Sequence, residues 1–114
     1  MEQIRDILLQ NAKEYYFNAI AAEKKGQYNS AVTLFFKAIS ALCDLYILMN
    51  MGRTPTNHTD RFRILENDYP SLYRIIDKNF PHYQDSYTAR LTKEVSDMLK
   101  EDARRLFEIL KIRV

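Results

Sequence analysis

The stretch Ala19-Ile20-Ala21-Ala22-Glu23-Lys24-Lys25-Gly26-Gln27-Tyr28-Asn29-Ser30-Ala31-Val32-Thr33-Leu34-Phe35-Phe36 decides how the rest of the chain is read. Small and apolar residues spaced for a helix run up to a glycine and resume at once beyond it. Upstream, Ile4, Leu8, Ala12, Tyr15, Ala19 and Ala22 recur at steps of three and four from Gln3 to Lys25, which stacks them on one helical face. Gly26 tolerates the positive φ that ends a helix, and Asn29 or Ser30 is the expected cap of the next one. That second helix carries Ala31, Leu34, Phe35, Ala38, Leu42, Leu45 and Met49 on its main stripe, with Val32, Phe36, Ile39, Cys43 and Ile47 beside it. A helix apolar on several sides is enclosed by other helices or by a second copy of the chain.

Working outward, Gly52 closes the second helix and Arg53-Thr54-Pro55-Thr56-Asn57-His58 forms a polar connector. Asn57 is the expected cap of a short helix through Phe62, Leu65 and Glu66, with Asp60 in its first turn. Pro70 suits the first position of a further helix over Ser71 to Lys78. Phe80 to Ser86, with Pro81 inside it, reads as a loop. A closing helix starting at Tyr87 or Thr88 shows Leu91, Val95, Leu99, Ala103, Leu106 and Leu110 on one face. No segment alternates with period two. The sequence therefore predicts one all-α domain over residues 1–114: an antiparallel four- to five-helix bundle with two long helices, a short-helix excursion and a long closing helix.

Composition narrows the functional classes. Two glycines and three prolines in 114 residues are too few for a turn-rich β-sandwich or barrel, and one cysteine excludes an internal disulfide framework. Seventeen basic against fifteen acidic side chains give +2, so any basic feature must be local. The greasiest stretch, Ala31 to Met51, is interrupted by Lys37 and Asp44 and reads as a buried helix rather than a membrane span. With no basic-then-apolar leader at the amino terminus, the expectation is a cytoplasmic protein with no membrane partner. No phosphate loop, serine elbow or glycine-rich dinucleotide turn occurs, so no cofactor is expected. His82 and Cys43 lack companions at ligand spacing, so no metal site is expected either. Gly26-x-Tyr28-x-x-Ala31 is similar to the turn of a tetratricopeptide unit, but the pattern does not return one period later near Asp60, Phe62 and Leu65.

The order of these pieces resembles the HEPN domain, the "higher eukaryotes and prokaryotes nucleotide-binding" helical bundle. Gly26-Gln27-Tyr28-Asn29-Ser30-Ala31 and Thr54-Pro55-Thr56-Asn57-His58 carry the likeness, which spans nearly the whole chain. The resemblance implies a homodimer, a nucleotide or RNA ligand, and pairing with a small nucleotidyltransferase in a toxin–antitoxin arrangement. Many members are metal-independent ribonucleases with an arginine, four to six intervening residues and a histidine. Arg53 and His58 have that spacing, although here they follow the second helix rather than adjoin the last. Two alternatives stay open on this reading: a nucleotide- or RNA-binding domain, with ribonuclease chemistry as its stronger form, and a non-catalytic module docking a nucleotidyltransferase.

Chemistry assigns the candidates roles. An imidazole near neutrality can take the 2′-hydroxyl proton, and a guanidinium can steady charge on phosphate, which makes His58 and Arg53 the expected catalytic pair. A place in the first turn of a helix would keep His58 neutral, since the dipole there disfavours a cation. Asn57, Arg61 and Arg63 join them as expected ligand-binding residues around a basic cleft. Tyr83, Tyr87 and Arg90 form a second set, suited to stacking on bases and holding a phosphate between them.

Overall fold

The computed structural model describes residues 2–114, and every regular element in it is helical: α1 (Glu2–Lys24), α2 (Tyr28–Met51), α3 (His58–Asp68), α4 (Pro70–Asp85) and α5 (Lys93–Ile109). The expectation of an all-α bundle of four to five helices is met, with five present, and no strand occurs among the described residues. α1 and α2 form an antiparallel hairpin about Gly26, whose φ of 72° is the left-handed turn that a side chain would strain. Gly52 ends α2 in the same way, at φ 77°, its N–H donating to the Leu48 carbonyl.

α2 lies at the centre, packed by α1, α4 and α5 of the same chain. Phe35, Phe36, Ile39, Leu42 and Ile47 are fully covered, together with Leu99, Leu106 and Phe107 from α5. Tyr16 of α1 joins them through edge contacts with Phe35 and Phe107, at 5.8 and 5.2 Å between ring centres. α2 is long and apolar enough to cross a membrane, and about two-thirds of its most apolar window is buried within the bundle. Most of the apolar surface that suggested a second copy of the chain is thus covered by neighbouring helices, with Met49 and Met51 at the end of α2 left exposed.

Three local expectations are corrected. α2 starts at Tyr28, one turn position before the expected caps, and neither Asn29 nor Ser30 caps it. Asn29 instead reaches across the bundle: its Nδ2 donates to the carbonyls of Ser86 at 3.0 Å and Ala89 at 2.7 Å, and its Oδ1 accepts from the Leu91 amide at 2.9 Å. Those bonds occupy the backbone that the closing helix would otherwise have used, so α5 begins at Lys93, capped by Thr92, rather than at Tyr87 or Thr88. Finally, α4 runs through Pro81 to Asp85 where a loop was expected. A proline inside a helix removes one hydrogen bond and costs about 3 kcal/mol. Packing opposes that loss: Tyr83 stacks on Phe36 at 4.6 Å and 16°, and Phe80 meets Phe62 edge-on at 5.3 Å. The expected starts at Asn57 and Pro70 are both found, with Asn57 Oδ1 accepting the Asp60 amide at 2.8 Å.

Asn29→Ala should remove the three cross-bundle bonds and lower stability by roughly 1–3 kcal/mol. Urea unfolding measures the loss, and amide exchange at Leu91 should speed up more than exchange at Leu42; unchanged protection at Leu91 would contradict the latch.

Candidate functional site

The site begins with the way α3 is anchored. Asn57 caps its first turn, which places His58 at the first helical position and Asp60 and Arg61 one turn within. Asp60 is buried at 6% exposure and gathers the connector around itself. Its Oδ2 accepts from the Thr56 amide at 3.0 Å and from Arg53 at 3.3 Å, and its Oδ1 accepts from Arg63 at 2.7 Å. The Thr56 amide and the Arg63 guanidinium hold the carboxyl at about 2, below its ordinary 3.8. Because folding lowers this pKa, the stability it supplies is present above pH 3.8 and is lost as pH falls towards 2.

Arg61 turns the other way, towards α2. Its Nε and Nη2 donate to the two oxygens of Asp44 at 2.7 and 2.8 Å, a bidentate pair with both side chains mostly buried. Its Nη1 lies 2.7 Å from His58 Nδ1. A guanidinium has donors only, so Nδ1 must accept, and a neutral imidazole then carries its proton on Nε2. Burial and the adjacent Arg61 charge lower the His58 pKa from its ordinary 6.5, with Lys37 adding to the effect and Asp44 opposing it. The ring is held neutral as expected, but by desolvation and two cations, where the sequence had suggested the helix dipole.

These residues open onto a cleft of about 230 Å³ where α1, α2, α3 and α4 meet. Tyr15 stands on the α1 side, Lys37, Ser40 and Asp44 on α2, His58 and Arg61 on α3, and Tyr83 on α4. Lys37 Nζ lies over the Tyr15 ring at 5.9 Å, and the Tyr83 hydroxyl meets that of Tyr87 at 3.0 Å. With His58 neutral, Lys37 and Arg61 against Asp44 leave one net positive charge.

The sequence candidates therefore separate. His58 and Arg61 of α3 and Tyr83 of the following helix α4 converge on the cleft, and Tyr87 adjoins it through Tyr83. Arg53 does not line the cleft; its guanidinium turns to Asp60 while His58 turns to Arg61. Arg63 is likewise engaged with Asp60, and the Asn57 side chain is engaged with the α3 amide. Arg90 is exposed, lies outside the cleft and makes no side-chain hydrogen bond or ion pair among the described residues. Lys37, Ser40 and Asp44 were missed as site residues. Spaced three and four apart in a greasy helix, they form a polar stripe on one face, which is the signal that could have found them. Among the described residues no three His, Cys, Asp or Glu side chains gather as metal ligands. No family model, curated protein or solved structure matches this chain.

The arrangement presents hydrogen-bond donors and aromatic faces. As a general base it is poorly arranged: the Nδ1 lone pair is occupied by Arg61 and Nε2 already holds the proton. In solution His58 should show the Nε2–H tautomer and titrate below 6.5, measured by nitrogen-resolved NMR. The unfolded chain then protonates first, so the His58 contribution to stability is complete above pH 6.5 and declines as pH drops. Arg61→Ala should raise the His58 midpoint and, by stranding the Asp44 charge, lower stability by roughly 3 kcal/mol. An unmoved midpoint would break the assigned contact.

Proposed function

We propose that this chain is a nucleotide- or RNA-binding helical domain of the HEPN kind, and that its ligand occupies the cleft between Tyr15, Lys37, His58 and Tyr83. The supporting observation is the meeting of an aromatic ring from α4, a cation from α2 and an imidazole donor from α3 around one opening. Aromatic faces accept stacked bases, and a cation with neutral donors accepts phosphate oxygens. At about 230 Å³ the cleft is below the ~300–1,000 Å³ that encloses a drug-sized ligand, so one group of a nucleotide enters and the remainder lies along the surface. The role proposed is binding rather than cleavage. Arg53 and His58 have separate partners, and the histidine offers a proton where a base needs a lone pair.

The test is fluorescence anisotropy with short single-stranded RNA and with mononucleotides. Binding should weaken as salt rises, as phosphate contacts require, and Lys37→Glu or Tyr83→Ala should reduce affinity about tenfold or more. Absence of binding at low salt would end this reading.

Pairing with a second copy or with a small nucleotidyltransferase, as the resemblance implies, is supported by a different surface. The nearly equal lengths of α1 and α2, antiparallel about Gly26, bring the first turns of one beside the last turns of the other. At that end Ile4, Ile7, Met49 and Met51 are each 41–50% exposed. Large exposed apolar side chains gathered at one end favour an interaction surface. We propose the homodimer, with this end as its contact. Light scattering at micromolar concentration should give twice the chain mass, and Ile7→Lys should halve it; a monomeric wild-type protein would dismiss the dimer.

A further inference from the structure

Ser40 has no structural role that accounts for its hydroxyl. It sits on α2 between Lys37 and Asp44, lines the cleft, and is only 9% exposed. A helical serine commonly turns its hydroxyl back to the carbonyl four residues earlier, here Phe36. Ser40 Oγ makes no such bond; it is buried without a hydrogen-bond partner among the described residues. A buried polar atom left unmatched is unfavourable, and few such atoms occur in folded proteins. Alanine at this position would fill nearly the same space without that penalty.

The neighbouring groups indicate what would match it. Lys37 offers an ammonium, and His58 offers Nε2–H because Arg61 occupies its other nitrogen. Among the described residues Asp44 is the one acid at the cleft, and Arg61 takes both its oxygens. The α2–α3 wall is therefore a surface of donors with one net positive charge. An ionised phosphomonoester has the complementary character: a charge approaching −2 near neutral pH and three strong acceptor oxygens. A phosphodiester within a strand has two chain arms and stays at the mouth of a small cleft, whereas a terminal phosphate has one and reaches a buried floor.

Resting on the nucleotide reading above, we infer that the cleft floor seats the terminal phosphomonoester of a nucleotide or RNA end, with Ser40, Lys37 and His58 as its donors. Tyr15 and Tyr83 then flank the attached nucleoside. Ser40 sets specificity: it distinguishes a phosphorylated end from a bare hydroxyl.

The experiment compares one short RNA carrying a 5′-phosphate, a 3′-phosphate or neither, alongside AMP against adenosine. One phosphorylated form should bind about tenfold more tightly than its hydroxyl counterpart. A preference in both the RNA and mononucleotide arms assigns the seat to any nucleoside phosphate, and a preference in RNA alone assigns it to strand ends. Ser40→Ala and, separately, Lys37→Met should bring the ratio of the two dissociation constants towards one. Thermal denaturation of Ser40→Ala should match or exceed the wild type, which separates a lost contact from a lost fold. Equal affinity for phosphorylated and unphosphorylated ligands, or a preference that survives Ser40→Ala, refutes the phosphate seat while salt-sensitive RNA binding keeps the broader reading. Failure of every ligand to bind removes both.

Discussion

Arg61 grips Asp44 with two of its nitrogens and His58 with the third, and the geometry of the cleft depends on that one guanidinium. It ties the first turn of α3 to the middle of α2 across seventeen residues of sequence, through a pair that is mostly out of water. In such surroundings a bidentate contact is both directional and poorly screened. The same guanidinium determines which nitrogen of His58 bears a proton, and hence whether the imidazole offers or accepts one. Without it, α3 would keep its core packing through Ile64 and Leu65 and its connector bonds through Asp60 and the Asn57 cap, but it would lose the charged tie that sets its first turn against α2.

Charge neutralisation divides the connector region into two parts with different consequences. Asp60 collects both Arg53 and Arg63, so their charge is half neutralised on the outer side, away from the cleft. On the inner side Asp44 balances Arg61, and Lys37 is the cation that remains at the cleft. A positive site can thus arise in a chain of +2 overall without a broad basic surface. The effective cation belongs to the apolar central helix, where a lone lysine is conspicuous only after its neighbours are known.

Proline and asparagine illustrate how packing overrules local preference. Pro81 reads as a break, yet the aromatic column of Phe36, Phe80 and Tyr83 carries α4 past it. That extension is what brings Tyr83 to the cleft. Asn29 reads as a cap, yet its amide binds the strand of backbone before α5 and delays that helix to Lys93. In each case a contact between residues some fifty positions apart outweighs a tendency of a few adjacent ones.

Local patterns along the chain dictate the set of helices and most of their ends. Periods of three and four, glycines at 26 and 52, the Asn57 cap and Pro70 act within one or two turns, so they are readable without a fold. The sequence also contained the polar stripe of Lys37, Ser40 and Asp44, legible as a spacing though not as a site. Helix packing, by contrast, settles which charges meet, which way His58 faces and which hydroxyl is left without a partner. Those outcomes depend on how α3 and α4 lie against α2, and a difference of one helical turn there would exchange every partner.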